Sequence, residues 1–381
     1  MKVKKHAVEN FLRISIFLGT FLAMGCSDEN REDIQPASEV VFDSMLPEGW
    51  SPMSSSRSVT VGSTELQTLG FGVFAYYTAD KSWEEANATI PNFMNNTHVT
   101  STDGTTWTYS PIKYWPNNQG DKLSFFAYAP YIGSSAVTGS ELGYTVSADV
   151  DSQVDLLWSN SDTKEKTKAD ETVHFTFRHA LSRIGFSAEA KIEGESPIDQ
   201  YEKVKMQVKK IVLASVDDYA GTGTGPFYRQ GVLELNNQTD EALWNDCSGT
   251  QGYMLEESHL ASHDLTLTQH ETSTTSQNLT TDGNYLMILP QDFLEKGFHV
   301  YVEYDVHLWF SGNGVETGKE HEYFTYTNGC VGNLKINFEP GMAYIINLQL
   351  GLEDATLGEV TMTEWGEVGE VKLEDLLEEK E

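Results

Sequence analysis

Hydrophobic and polar positions along the chain alternate in short runs of β-branched and aromatic residues, and a helical period is scarce. In the clearest run, residues 299–309, Val300, Val302, Tyr304, Val306 and Leu308 share one face of an extended chain, while Tyr301, Glu303, Asp305 and His307 share the other. Residues 204–216 begin with the same alternation and pass into the apolar run Ile211-Val-Leu-Ala214, which predicts a strand fully buried at its end. Further strands are predicted over 69–77, 122–129 (ended by Pro130), 283–290, 322–326, 334–338, 344–350 and 360–365, with weaker ones near 143–147 and 154–158. Asp103-Gly104 marks a hairpin turn before a strand at 106–109, and a short helix is expected about 83–88. Residues 161–171 read as a charged polar loop, and 236–282 as loops with at most short strands. The pattern predicts an all-β protein.

The amino-terminal stretch has a different texture. Lys2, Lys4, Lys5 and Arg13 surround an apolar run, 14–24, that is too short to span a bilayer and fits a signal-peptide core. It ends L-A-M-G-C, which resembles a bacterial lipobox with Cys26 as the lipid-bearing residue; the plainer reading is an ordinary secretory signal. Acyl chains contribute about 0.8 kcal/mol per buried CH₂, so several on one cysteine give a stable anchor. The acidic tract after Cys26 (S-D-E-N-R-E-D) resembles the surface-export signal of Bacteroides-group lipoproteins. Residues 38–46 predict one strand, closed by Pro47, and residues 48–58 an exposed loop. Arg57 is the single basic residue between Arg31 and Lys81, and in such a loop it is open to a trypsin-like protease. By residue type alone it is an inert surface arginine.

Charge and chemistry narrow the classes. The net charge of −32 disfavours nucleic acid as a partner. Of three cysteines, Cys247 and Cys330 are open either to a disulfide or to two free thiols, and no pair stands at zinc-site spacing. His259 and His263 have a spacing that zinc sites use, but the adjoining D-L-T-L-T alternates like a strand, so with His270 they read as solvated loop residues. Asp149, Asp151 and Asp155 mimic part of a calcium loop without its glycine or closing glutamate. G-T-G-T-G-P (221–226) lacks the Lys-Ser/Thr of a phosphate loop and reads as a hairpin turn. No nucleophile carries a catalytic signature, so neither enzyme activity, a metal nor a cofactor is expected.

The ordered set G-V-F-A-Y (72–76), F-M-N (93–95), W-T-Y-S-P-I-K-Y-W-P (107–116), F-F-A-Y-A-P-Y (125–131) and F-x-F-R-H-A-L (175–181), with I-N-F-E-P-G-M-A-Y-I-I-N-L-Q-L and a late E-W, resembles the fimbrillin-like family of FimA- and Mfa-type lipoprotein pilins. The resemblance implies a signal peptide over 1–25, a spacer and prosegment over 26–57, and two tandem transthyretin-like β-sandwich domains over 58–178 and 179–381. It implies lipidation at Cys26 and cleavage after an arginine by a trypsin-like protease, at Arg57 or less plausibly Arg31. Val40, Val41 and Phe42 would then lie in a strand that shields a groove until a terminal strand of another pilin subunit fills it; residues 359–365 and the tail behind them are donor material. The implied setting is the outer membrane, held through lipid and exposed at the cell surface, then a fimbrium with an adhesion ligand; stalk, anchor and tip are all open. The rival is a non-polymerising surface lipoprotein that binds glycans through Trp107, Tyr114 and Trp115.

Overall fold

The computed structural model describes residues 38–45, 63–133, 137–160, 163–192, 200–215, 225–236, 239, 241–280, 285–312, 314–365 and 371–372. Cys26, Arg31, Arg57 and most of the 221–226 turn lie outside the described residues. All the described residues belong to one unit, Ser38–Glu381.

The chain opens with β1 (Val41–Met45), a short helix α1 (Ser63–Leu69) and β2 (Phe71–Ala79). The helix went unpredicted because only Leu66 among its described side chains reaches the core, so no apolar stripe marks it. Gly70 ends it with φ +68, its N–H donating to the Leu66 carbonyl at 2.9 Å. The helix α2 (Trp83–Ala86) starts on a capping box between Ser82 and Glu85. β3 (Met94–Ser101) and β4 (Trp107–Tyr109) form the predicted hairpin. Gly104 takes φ +76, and Asp103 Oδ1 accepts the Thr106 and Thr105 N–H groups at 2.7 and 2.9 Å. Then come β5 (Lys122–Ala129), β6 (Val137–Thr138), β7 (Glu141–Thr145), β8 (Leu157–Ser159), β9 (Thr172–Thr176) and β10 (Arg178–His179).

One sheet runs β10-β8-β5-β2-β3-β4. Its middle strands are buried on both faces, which is why they read as continuous apolar runs. Phe71, Val73 and Ala75 of β2, with Leu123, Phe125 and Ala127 of β5, face a first core that includes Phe42 and Phe175. Phe74 and Tyr76, with Phe126 and Tyr128, face away into a junction core.

The rest of the chain is β11 (Ser182–Ala190), β12 (Tyr201–Ala214), β13 (Phe227–Glu234), β14 (Leu243–Gln251), β15 (Tyr253–Glu256), β16 (Leu265–Thr268), β17 (Gln277–Asn278), β18 (Leu286–Ile288), β19 (Gln291–Asp292), β20 (Phe298–Phe310), β21 (Glu322–Leu334), β22 (Asn337–Phe338), β23 (Met342–Leu350), β24 (Ala355–Glu364) and β25 (Val371–Lys372). Sheets β17-β11-β23-β24-β25 and β15-β12-β20-β21 contribute to a large second core, where Val300, Val302, Tyr304, Val306 and Leu308 point inward as their alternation predicts. A further sheet, β14-β13-β7-β6, takes strands from both sides of residue 178, with Leu142 registered against Leu233.

Two expectations fail. Residues 236–282 contain the nine-residue strand β14, invisible by composition because it is a mostly exposed edge whose partners are the backbone groups of β13. β21 runs on to Leu334, past the predicted end at 326, through two register shifts against β20 that absorb its glycine-bearing segment.

The junction core joins the two halves through polar contacts as well as apolar ones. Gln153, buried, donates to the Met287 carbonyl and accepts the Met287 N–H at 2.7 Å. His179 Nδ1 donates to Asp155 Oδ2 at 2.7 Å with both side chains buried, and the His179 ring lies parallel to Trp365 with centroids 3.9 Å apart. Arg183 stands over the other rings here, 5.0 Å from Trp365 and 4.3 Å from Tyr285.

Several carboxylates are held below their ordinary range: Asp103 by the Thr106 and Thr105 N–H groups, Glu165 by Lys122 and the Trp83 N–H, and Glu271 by Thr268. A depressed folded-state value means stabilisation that is full above the unfolded value, near 4, and drains as pH falls through the folded one. The urea midpoint is therefore expected to drop below about pH 4, and Asp103→Asn, which keeps the acceptor and removes the titration, to flatten that drop.

Candidate assembly site

β1 occupies a slot in the first core and is bonded to two separate segments. Its approach is antiparallel to residues 113–115: the Val40 N–H donates to the Lys113 carbonyl and the Trp115 N–H to the Ser38 carbonyl, each at 2.9 Å. From Val41 onward it is parallel to β9, with Val41 registered on Thr172 and Met45 on Thr176. Alternation decides which side chains go in. Val40 and Phe42 are buried, and Val41 between them is 46% exposed.

Phe42 sits among three rings, with centroids 5.2 Å from Tyr109, 5.6 Å from Phe175 and 5.9 Å from Phe125. Burial of side chains of this size stabilises by about 1.5–3 kcal/mol each, so Val40 and Phe42 together hold the segment firmly without any covalent bond. Tyr109 adds a directed contact, its hydroxyl donating to the Val40 carbonyl at 2.7 Å. Burial pushes the Tyr109 phenol up from its ordinary range, which keeps that donor protonated. At the rim, His174 Nδ1 meets Asp43 Oδ2 at 3.2 Å, both exposed.

The alternation of Val40, Val41 and Phe42 is readable in the sequence; Tyr109, Phe125, Phe175 and His174 are not. Tyr109 lies 69 residues from its partner. The only hint is the in-out-in pattern of Trp107-Thr108-Tyr109, which gives a face but no destination.

The glycan-platform rings do not form a platform. Trp107 and Trp115 are buried in the first core, where Phe71 and Phe125 pack on them, and Tyr114 alone is exposed. Residues 359–365 are engaged as well: β24 lies between β23 and β25, with Val360, Met362 and Trp365 buried. The polar constellations separate. Asp149 caps the turn Val150–Ser152, Asp151 pairs with His259 at 3.3 Å, and Asp155 is the buried partner of His179. Among the described residues no group of three or more His, Cys, Asp or Glu side chains is arranged around a metal position. Cys247, on β14, is a free thiol whose acidity burial weakens.

The fimbrillin-like family model matches residues 57–365, well over half of the chain. The chain belongs to the fimbrillin-like family. Fimbrium subunit Fim1C of Phocaeicola vulgatus is similar, with 27% identity over 254 residues; the match covers 61% of this fimbrillin-like chain and spans 62% of the relative's length. Among solved structures, a crystal structure of a fimbrial protein from Bacteroides vulgatus aligns with a TM-score of 0.62 at 22% identity, over 86% of this chain and 99% of that one. That alignment identifies the all-β sandwich fold. The family match starts at Arg57, so β1 and its slot fall on opposite sides of the family's boundary.

Proposed function

We propose that this chain is a structural subunit of a cell-surface fimbrium, exported as a lipoprotein through Cys26 and made competent for assembly by cleavage after Arg57. The observation that carries the reading is the slot. β1 completes a core it can leave, because Phe42 and Val40 are its main apolar attachments and Arg57 falls between it and α1 in the sequence. Family membership and the fimbrium subunit among its relatives support the role. Removal of residues 1–57 takes β1 and the lipid together. It leaves the rings of Tyr109, Phe125 and Phe175 and the β9 edge without their partner, a surface that a strand from another subunit covers with main-chain hydrogen bonds and side chains. Donor and slot are different surfaces, so the contact is head-to-tail and propagates as a filament. Supporting adhesion at the cell surface is part of the same reading.

The test is amino-terminal sequencing of SDS-resistant ladders from surface extracts. Their subunits are expected to begin at Ser58, and Arg57→Ala is expected to abolish the ladders while leaving precursor folded. Acylated Cys26 retained in ladder material would defeat the scheme. Ladders undiminished in Arg57→Ala would move the cut elsewhere.

A further inference from the structure

A cavity of about 590 Å³ opens between the end of α2 and the β13–β14 pair. Trp83, which lines it, belongs to the junction core, whereas Phe42 of the slot belongs to the first core. Its walls are held by other contacts. Trp83 packs on Tyr76 and Phe126 with ring centroids 5.1 and 5.0 Å away, and its backbone N–H donates to Glu165 Oε1 at 2.8 Å. Asn87 closes α2 in the left-handed region, with φ +42, and its N–H donates to the Trp83 carbonyl at 3.3 Å. On the opposite wall Glu234 of β13 is registered against Leu243 of β14 and accepts from Asn245 Nδ2 at 3.3 Å. A preformed cavity of this size falls within the range of small-ligand sites, about 300–1,000 Å³.

The lining selects a ligand class. Among the described residues no lysine, arginine or histidine lines the cavity, so an anionic ligand meets no counter-charge there. The side chains of Glu84, Asn87 and Asn236, which do line it, make no hydrogen bond or ion pair among the described residues. Trp83 is 3% exposed, and its indole N–H has no partner. A carboxylate only accepts, an indole N–H only donates, and a primary amide does both. A cation would satisfy the carboxylates and leave the indole and both amide NH₂ groups unmatched. A hydroxyl donates and accepts, so a ring bearing several of them matches the whole set. Leu243, 42% exposed, offers apolar contact to the C–H face of such a ring. We propose that this cavity binds a neutral saccharide, with Glu84 and Glu234 accepting from its hydroxyls, Asn87 and Asn236 bridging neighbouring ones, and Leu243 against its C–H face. The proposal names a ligand class for the adhesion in the reading above and rests on that reading for its setting; the binding itself requires neither cleavage nor polymerisation.

The experiment presents the uncleaved full-length chain to an array of neutral oligosaccharides beside sialylated and sulfated ones, with spermine as a cationic competitor. Binding confined to neutral saccharides, and not displaced by spermine, is expected. Glu84→Ala and Asn236→Ala are each expected to weaken affinity for the strongest array ligand at least ten-fold by calorimetry. Thr89→Trp, an exposed lining position where the larger ring fills the opening, is expected to abolish it. Glu295→Ala, exposed and outside the cavity, is expected to change nothing. The urea midpoint of each variant is expected to stay within error of the parent. Absence of binding to every neutral saccharide, preference for an anionic one, or displacement by spermine would overturn the proposal. Binding that survives all three cavity variants would place the saccharide elsewhere and overturn the site. SDS-resistant ladders are expected to form normally in Thr89→Trp; their loss would assign the cavity to a subunit contact and overturn the proposal. Saccharide binding by a precursor that never forms ladders would uphold this site while the assembly reading fell.

Discussion

Phe42→Ala is expected to destabilise the uncleaved chain by about 3–5 kcal/mol, read as a lowered urea midpoint with an unchanged slope. Phe42 packs against three rings, of which Tyr109 and Phe125 lie on β4 and β5, paired with β3 and β2, while Phe175 packs on Phe71 and Phe177. They do not close over the gap, so the transfer term and the cavity term both apply. Val41→Ala, one residue away and pointing into solvent, is expected to change stability by no more than about 0.5 kcal/mol. The contrast separates loss of a core ring from general weakening of β1. An equal effect at both positions would mean that the strand is held by its backbone alone.

Asp155→Ala is the second large effect, a loss of about 3–5 kcal/mol in the same measurement. Its carboxylate is fully buried, and the bond to His179 is what makes that burial tolerable. Taking the acid away leaves a buried imidazole, stacked on Trp365, with its Nδ1 donor unmatched. The cost lies in the orphaned partner, so the double change Asp155→Leu with His179→Leu is expected to recover much of it. Failure of the double variant to recover would point to shape in the junction, and not to pairing, as the source of the loss.

How far the sequence shows these sites depends on where each residue's partners lie. β5 is legible to the residue, 122–129, because both its faces are buried and Pro130 stops it. The two faces of β20 are legible because one meets the second core. β14 is not, since an exposed edge strand needs no apolar alternation, only the ladder supplied by β13. The slot is half legible. Val40 and Phe42 announce a strand with one buried face, but its pocket is assembled from β4, β5 and β9, and pairing across such distances leaves no local trace. The buried Asp155–His179 pair shows the same limit: Asp155 sits among aspartates that look like a solvated turn, and only the fold carries it inward.

The way β1 is attached also bears on what the slot can withstand. Its approach is bonded to residues 113–115 and its body to β9. Tension along the strand's own axis would therefore be shared by all of these bonds and by the Phe42 plug at once, as in a lap joint loaded in shear. A pull across the strand would part them one after another, as a seam peels. Held in this way, β1 resists stretching along its axis far better than prying.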